Sequence, residues 1–322
     1  MAISMSKSLS ATQPVGLISS RNRYSNAFFG LSRQVKGIIK IAIKEDIGSG
    51  DITTLVVLKS KINSQKLKGT AEIIAKENLV AAGLPLAEEV FRQIDKQTVF
   101  KPLVKDGEWV KKGQCIAMVK GRFSTLLTGE RTALNFLQHL SGIATLTHQF
   151  ADKVKDYNVK ILDTRKTTPG LRILEKYAVR CGGGFNHRFG LYDAILIKDN
   201  HIAAAGSIRN AALLAKKNAP KKKIEVEVKN FKELKEAIES RVDIIMLDNM
   251  KPYQMKKAVS FILATRNPQL ATLLIEASGG VSLKNIRDIA KTGVDLISIG
   301  ALTHSARAVD ISMEIVKTDS SR

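Results

Sequence analysis

The polar residues that follow apolar, strand-like segments are the first candidates for chemistry in this sequence. Two of them are carboxylates, Glu227 and Asp248, and they come at the ends of successive segments. The others are cations, because Arg165 and Lys166 follow one such segment and Lys198 follows the next. Lys and Arg neutralise phosphate and carboxylate oxygens, whereas two carboxylates can hold Mg²⁺ directly or through its waters. This combination predicts a site for a polyphosphate substrate and a divalent metal.

Two turns of small residues come at the last two strand-like segments. They are Ser278, Gly279 and Gly280, and then Ser298, Ile299 and Gly300. Glycine lets backbone N–H groups approach an anion closely, and a predicted helix starts after each turn. Either turn alone is also what an ordinary strand-to-helix connection needs. As a pair, the turns predict phosphate binding.

The segment 181–188 (CGGGFNHR) adds two cationic candidates. We interpret His187 and Arg188 as part of the anion site, with a core or loop histidine as the alternative for His187. Cys181 has no evident base partner in the sequence, so we assign it to packing. Three further histidines lie in helical patterns and are interpreted as structural: His139, His148 and His304.

The elements that position these residues alternate between strand and helix. Strands are predicted at 159–162, 194–197, 224–228, 242–247, 272–277 and 296–299. Helical patterns are predicted between most of them, at 170–180, 207–218, 231–239, 252–265 and 282–292. Such alternation favours parallel βαβ units, and polar residues at the strand ends are typical of the active face of an α/β barrel. Six strands are too few for a full barrel, so either the count or the barrel is incomplete.

A smaller α+β domain is predicted ahead of this region. An amphipathic helix is expected over 35–46, and residues 51–54 (DITT) are expected to lead into an extended segment. Apolar β-type runs follow over 67–82, then a helix over 86–94 and two strands on either side of a turn at Asp106. A long helix is predicted over 130–155.

Residues 1–34 are rich in Ser, Arg and Asn and contain no acidic residue. We predict a disordered basic tail without chemistry, with an organelle transit peptide as the alternative. A cytoplasmic location is expected unless this segment is a targeting signal.

Composition excludes several classes of protein. The 322 residues are 25% charged, and no apolar run reaches the roughly 18 residues of a membrane-spanning helix. Two cysteines cannot build a disulfide framework or a four-thiolate zinc site. The net charge of +21 raises nucleic-acid binding as a rival function, but no finger spacing or interleaved Arg and aromatic residues accompany it. A generally basic proteome or small polyanionic ligands explain the charge, and nucleic-acid binding is disfavoured as the main function.

Beyond these patterns, the sequence resembles the quinolinate phosphoribosyltransferase family from about residue 36 to its end. The resembling segments are 45–48 (EDIG), 51–54 (DITT), 130–135 (ERTALN), 163–170 (DTRKTTPG), 183–188 (GGFNHR), 196–201 (LIKDNH), 225–228 (EVEV), 246–249 (MLDN) and 276–280 (EASGG). In combination these motifs are highly specific, and no departure is visible at the functional positions.

The resemblance implies an α/β fold in two domains. It places an α/β sandwich over 35–142 and an incomplete α/β (TIM-like) barrel over 143–303. It also implies a C-terminal helix over 304–322 that packs back on the sandwich, and a homodimer or larger assembly of dimers in which Arg131 reaches the partner's site.

The implied reaction joins quinolinate to 5-phosphoribosyl-1-diphosphate and releases diphosphate and CO₂, with Mg²⁺ as cofactor, in NAD biosynthesis. Four residues are implied in catalysis: Lys166, Lys198, Glu227 and Asp248. Glu227 and Asp248 are the implied Mg²⁺ ligands, directly or through water or substrate. The substrate-binding set consists of Arg131, Thr164, Arg165, Lys166, His187, Arg188, Lys198, Glu227, Asp248 and the two small-residue turns.

The nearest rival is a paralogous phosphoribosyltransferase of the same fold, of the molybdenum-utilisation type or specific for nicotinate. The number of cations facing the pyridine discriminates between them, because a monocarboxylate would leave a buried Arg unpaired.

Overall fold

The computed structural model describes residues 32–59, 67–265 and 272–319. The first part contains α1 (Arg33–Ile47), α2 (Ile52–Lys59), β1 (Lys68–Ala75), β2 (Leu79–Val80), α3 (Leu84–Ile94), β3 (Val99–Pro102), β4 (Trp109–Val110), β5 (Cys115–Arg122) and α4 (Phe123–Lys153). The second part contains β6 (Lys160–Leu162), α5 (Arg172–Cys181), β7 (Ile195–Ile197), α6 (Asp199–Ala205), α7 (Ile208–Asn218), β8 (Ile224–Val228), α8 (Phe231–Glu239), β9 (Ile244–Asp248), α9 (Pro252–Thr265), β10 (Leu274–Ser278), α10 (Ile286–Ala290), β11 (Leu296–Ser298), α11 (Ala301–His304) and β12 (Ile311–Asp319). None of the helices described is both long and apolar enough to cross a membrane.

The smaller domain is built on a four-stranded antiparallel sheet in the order β12-β1-β5-β3. Alternate residues of β1 are buried, as expected for a sheet with one covered face. Helices α1 and α3 pack with α4, whose buried residues run along most of its 31-residue length. The α4 helix continues across position 142, so it contributes to the packing of both halves of the chain.

The larger domain is a six-stranded parallel sheet in the order β6-β11-β10-β9-β8-β7. All neighbouring strands in it are parallel, so their carboxyl ends share one rim. Within the described residues β6 and β7 form the two edges and do not pair with each other, although Phe185 forms a bridge with Leu162 beside β6. The prediction of an incomplete α/β barrel with six strands is confirmed.

The two faces of this sheet differ in polarity. The outward-facing residues, such as Val226 and Leu247, belong to the main core beneath the surrounding helices. On the inner face, Leu162, Ile244 and Leu296 form a separate small cluster with Phe185 and Leu274. Strand residues alternate between faces, so positions two residues further along the strands face inward as well. These positions carry the polar side chains of the site.

Two sequence predictions for the N-terminal part of the chain need correction. Residues 52–59 form helix α2 rather than an extended segment, because Asp51 accepts hydrogen bonds from Thr54 N (2.9 Å) and Thr54 Oγ1 (2.6 Å) and so caps a helix. The folded part begins before residue 35, since Ser32 caps α1 by accepting from Val35 N. The rest of the predicted tail, 1–31, lies outside the described residues.

The predicted C-terminal helix over 304–322 is also wrong. Residues 311–319 form strand β12, which does return to the smaller domain, where it pairs antiparallel with β1. The helix ahead of it, α11, ends at His304. Ile311 and Met313 are buried whereas Glu314 is exposed, and this alternation is typical of a half-buried strand.

Candidate active site

The rim of the sheet brings together Lys198 at the end of β7 and Glu227 on β8. The Lys198 ammonium and the Glu227 carboxylate form an ion pair, with Lys198 half-exposed and Glu227 largely buried. Lys198 also precedes helix α6, a short helix that sequence reasoning missed. The pair sets one cation and one anion side by side at the mouth of the inner face.

Asp248 ends β9 and is held by the next residue. Asn249 is one of two described non-glycine residues with a positive φ, at 53°. In this conformation its Nδ2 donates to Asp248 Oδ2 (2.9 Å), and its backbone N–H donates to Ser278 O (2.9 Å). A Cβ atom at Gly279 would overlap with the Asn249 side chain, so the first predicted phosphate turn requires glycine there. Asn249 therefore fixes Asp248 against that turn.

The second predicted phosphate turn lies beside Lys166. Thr303 Oγ1 donates to the Lys166 carbonyl (2.5 Å), and a Cβ atom at Gly300 would lie 2.9 Å from Lys166 Cδ. Thr164 Oγ1 accepts a hydrogen bond from Lys166 N (3.1 Å). The side chain of Ile299 is buried in the main core, so only its backbone can face a ligand. The structure thus places Lys166 against the turn predicted to hold a phosphate.

Two arginines near this rim, the buried Arg188 and the half-buried Arg165, each have a buried Nε–H without a hydrogen-bond partner among the residues described. Arg188 is only 8% exposed, and its guanidinium donates to Ala194 O (3.1 Å). Burial and the nearby Arg165 charge both lower the pKa of Arg188. Two neighbouring cations with unsatisfied donors are costly unless an anion binds between them.

Helix α5 holds the two loops that carry these cations. Lys176, buried in α5, pairs with the Asp163 carboxylate and donates to His187 O (3.1 Å). Arg172 donates to Phe189 O (3.0 Å) and to Thr167 Oγ1 (3.0 Å). Sequence reasoning missed these residues because they come from a helix face rather than from a strand end.

His187 faces away from solvent, toward two further carboxylates. Its Nε2 lies 3.0 Å from Glu225 Oε2 and 3.7 Å from Glu276 Oε1. Burial lowers the pKa of His187, but the two carboxylates outweigh it and raise the pKa to about 9. Burial and the charge of Glu225 raise the pKa of Glu276 to about 8. In the part of the chain that the structure describes, these three residues form the one group of three or more His, Cys, Asp or Glu side chains whose atoms are close enough to share a metal ion.

Sequence reasoning named neither Glu225 nor Glu276 as a site residue. The signal was present, because each stands two positions before a predicted site residue, Glu227 or Ser278, and so faces the same side of its strand.

The remaining sequence candidates lie elsewhere. Arg131 is exposed on α4, ahead of the barrel strands in the chain. His139 pairs with the buried Glu175, and the ring of His148 contacts that of Trp109 at a tilt of 38°, as structural histidines would. Burial raises the pKa of the Cys181 thiol, which suits packing rather than nucleophilic attack.

Comparison with known proteins matches nearly the whole chain. The sequence model described as "Quinolinate phosphoribosyl transferase, N-terminal domain" matches residues 51–141, and the one described as "Quinolinate phosphoribosyl transferase, C-terminal domain" matches residues 143–314. The chain is 47% identical over 276 residues to a probable carboxylating nicotinate-nucleotide pyrophosphorylase of Synechocystis, a match that covers 85% of this chain and 90% of the relative. It is 44% identical to a Bacillus subtilis protein of the same description, with coverage of 89% and 96%. A solved nicotinate-nucleotide pyrophosphorylase from Francisella tularensis superposes with a TM-score of 0.82 at 41% identity, over 92% of this chain and 98% of that one.

Proposed function

The chain belongs to the quinolinate phosphoribosyltransferase family, and from this premise we propose how its site performs the family's reaction. The enzyme transfers the phosphoribosyl group of 5-phosphoribosyl-1-diphosphate to the nitrogen of quinolinate. It releases diphosphate and CO₂ and forms nicotinate mononucleotide, a step of NAD biosynthesis.

One observation carries the assignment of the quinolinate site: Arg188, which is buried, and the neighbouring half-buried Arg165 each have a buried, unpartnered Nε–H group. Quinolinate has two adjacent carboxylates, and each Arg can pair with one of them. Nicotinate has one carboxylate and would leave one of the two buried Nε–H donors unpaired, which costs about 1–3 kcal/mol. The pocket therefore favours quinolinate, a dicarboxylate, over nicotinate as the substrate.

The phosphate groups of the second substrate belong at the rim. We assign the 5-phosphate to the turns at Ser278–Gly280 and Ser298–Gly300, where φ of Gly279 and Gly280 is positive and backbone N–H groups can converge. Lys166, which lies against Gly300, and Lys198 supply positive charge for the departing diphosphate. Removal of either Lys should slow diphosphate loss more than it weakens quinolinate binding.

Glu227 and Asp248 would hold Mg²⁺ together with substrate oxygens. Their oxygen donors suit a hard cation that keeps several water or phosphate ligands, and Asn249 keeps Asp248 oriented. When bound, Mg²⁺ neutralises charge on the leaving diphosphate. The protein's own part is to hold these two carboxylates on neighbouring strands at one rim.

The chemistry needs no nucleophilic side chain. Bond breaking at the anomeric carbon gives an oxocarbenium-like state, so catalysis rests on positioning and electrostatics. Once ribosylated, the pyridine nitrogen is cationic and can stabilise the carbanion left as the 2-carboxylate departs as CO₂. Arg165 and Arg188 orient the carboxylates so that the nitrogen faces the ribose.

We further propose that the working unit is a homodimer and that Arg131 completes the partner's quinolinate pocket. The exposed position of Arg131 on α4 leaves its guanidinium available to a neighbouring chain. A planar guanidinium suits pairing with a carboxylate across an interface.

A cytoplasmic location is proposed on the basis of two free thiols, Cys115 and Cys181, which suit a reducing compartment. Expression of the full chain and of a chain lacking residues 1–31, followed by cell fractionation, tests it. Organelle enrichment that depends on the first 31 residues would contradict it.

The reaction is tested with purified protein, quinolinate, 5-phosphoribosyl-1-diphosphate and Mg²⁺. We expect nicotinate mononucleotide to form with quinolinate and not with nicotinate. Arg165→Lys and Arg188→Lys should each raise the quinolinate KM by about tenfold, because Lys keeps the charge but loses the planar fork. Turnover of nicotinate at a rate similar to that of quinolinate would contradict the assignment.

A further inference from the structure

Glu225 on β8 and Glu276 on β10 are an acid pair that the proposed chemistry does not use. Both residues are fully buried, at 0% exposure. They lie on the inner face of the sheet, where Glu225 is in register with Ile244 and Glu276 with Leu296, two residues of the small apolar cluster. Two carboxylates in the interior of a barrel are costly, so their presence calls for a function.

Among the residues described, the acid pair has an ion-pair partner, His187, but no hydrogen bond of normal geometry. All four of its carboxylate oxygens are buried without a hydrogen bond of good geometry, as are His187 Nε2 and Ser298 Oγ. Nevertheless His187 Nε2 lies 3.0 Å from Glu225 and 3.7 Å from Glu276. The interaction that remains is between charges, and its cationic member is His187.

The position of His187 matters for the substrate pocket. Its neighbour in the chain is Arg188, whose buried guanidinium also experiences the charge of Glu225. His187, Arg188 and Arg165 are cations gathered in one place before any substrate arrives, and they repel one another. A negative charge beneath them offsets that repulsion and holds the group together.

We propose that Glu225 and Glu276 are positioning residues that act through His187, holding it and the adjoining Arg188 in the geometry that receives the dicarboxylate. The proposal rests on the proposed function, since it concerns the quinolinate pocket of that reaction. Neither carboxylate touches substrate in this account.

The sign of the mutational effect separates this proposal from a simple field effect. If the acid pair acted only through its charge at a distance, removal of a negative charge would strengthen the binding of a dianion. If the pair holds the cations in place, the same removal weakens binding. The quinolinate KM of Glu225→Gln therefore falls if the pair acts only through its field, and rises if the pair holds the cations in place.

The experiment compares Glu225→Gln, Glu276→Gln and His187→Gln with the wild-type enzyme between pH 8 and 9. In this range the Glu276 carboxyl, whose pKa is raised to about 8, is ionised and its substitution removes a negative charge. We expect the quinolinate KM to rise about tenfold for Glu225→Gln, in line with the loss of an interaction with a charged group, and about threefold for the more distant Glu276. The KM for phosphoribosyl diphosphate should stay within about twofold in both variants, a split that a general loss of folding would not produce. In the His187→Gln background, Glu225→Gln should add less than about threefold.

Met246→Leu is the matched control, because Met246 lies on β9 between β8 and β10 and faces the same interior. This volume-conserving change alters the packing on the inner face of the sheet without altering charge. The quinolinate KM should therefore stay within about twofold of the wild-type value. Thermal melting checks that each variant folds. If Glu225→Gln does not fold, Glu276→Gln provides the test, because the quinolinate KM is expected to rise in that variant as well.

Three results would overturn the proposal. The first is an unchanged or lower quinolinate KM in Glu225→Gln and Glu276→Gln. The second is a rise in quinolinate KM on Glu225→Gln that is as large in the His187→Gln background as in the wild type, and the third is a stoichiometric divalent metal in the purified wild-type enzyme that the variants lose. The last would make the cluster a metal centre. The wild-type assay separates the two claims, since absence of quinolinate turnover there refutes the proposed function, whereas normal wild-type turnover with unaffected variants refutes only the positioning role.

Discussion

Single residues at the rim obtain their orientation from neighbours that do no chemistry themselves. Asn249 adopts a positive φ, which asparagine tolerates better than most residues, and from there it donates to Asp248 while its side chain fills the space beside Gly279. His187 shows the same dependence on Glu225 and Glu276. Positions chosen for their chemistry alone, such as Asp248, were predictable from the sequence. The contacts of their supporting residues were not predictable. The two-residue spacing of Glu276 and Ser278 places Glu276 on the site face of its strand, but it does not reveal that Glu276 lies beside His187.

Asn249→Gly tests this support directly. Glycine keeps the positive φ at no steric cost but removes the hydrogen bond to Asp248, so kcat/KM for phosphoribosyl diphosphate should fall about tenfold while the protein stays folded. The control is Arg241→Gly at the other described non-glycine position with positive φ, 48°, which is exposed. In steady-state kinetics, kcat/KM should fall in Asn249→Gly and stay at the wild-type value in Arg241→Gly. A wild-type kcat/KM in both variants would show that Asp248 does not need the hydrogen bond from Asn249.

The pH dependence of stability reports on His187. Its pKa is raised from 6.5 to about 9 by Glu225 and Glu276, against burial and the charge of Lys176. The folded state therefore holds this proton more tightly, and the stability gained is fully present below pH 6.5 and is lost as pH rises through 9. Glu276, whose pKa is raised to about 8, adds to the decline in the same range. Urea unfolding between pH 6.5 and 9 is therefore followed in Glu276→Gln, where adding His187→Gln should reduce the decline. A decline of the same size in the double variant would contradict the prediction.

At the scale of elements, the βαβ alternation was enough to predict all six barrel strands and the helices at 231–239 and 252–265. The short helices α6 and α11 were missed, since four to seven residues carry little periodicity. The final segment was expected to be a helix because of the family resemblance, although Ile311, Met313 and Glu314 follow the two-residue period of a strand. The local residue pattern was therefore a better guide to this strand than the resemblance. Its pairing partner could not be predicted, because the other strands of that sheet lie more than 180 residues earlier in the chain.

Close packing around α4 gives a prediction at this scale. Gly142 lies in the helix interior, where a Cβ atom would overlap with the backbone carbonyl of Arg307. Gly142→Ala should therefore lower the free energy of unfolding by about 1–3 kcal/mol, because a backbone atom must move. Gly37 lies in the interior of α1 with no atom within 4 Å of its would-be Cβ, so Gly37→Ala should raise stability by about 0.5–1 kcal/mol. Denaturant titration of both variants checks the contrast, and a stabilising Gly142→Ala would show that the segment around Arg307 is not held against α4.

The whole molecule joins an antiparallel domain to a barrel through one long helix, and that helix carries Arg131. Sequence periodicity identified the helix, but no single-chain pattern shows where an exposed side chain goes in an assembly. The proposed trans role of Arg131 therefore belongs to this scale. It predicts that an isolated protomer lacks a complete quinolinate pocket.

Mixing of inactive variants tests that role. Arg131→Ala and Lys166→Ala should each be nearly inactive, but after subunit exchange about half the dimers are hybrids with one complete site of two, so about a quarter of wild-type activity should return. Exchange is followed independently with differently tagged chains. If hybrids form and no activity returns, Arg131 acts within its own chain.

The central claim is that this chain is a decarboxylating phosphoribosyltransferase that takes a dicarboxylate. The most direct measurement follows quinolinate labelled with ¹³C in the 2-carboxylate during turnover with phosphoribosyl diphosphate and Mg²⁺. We predict labelled CO₂, diphosphate and nicotinate mononucleotide in equal amounts, with no label left in the nucleotide. Diphosphate release without labelled CO₂, or label retained in the nucleotide product, would contradict the account.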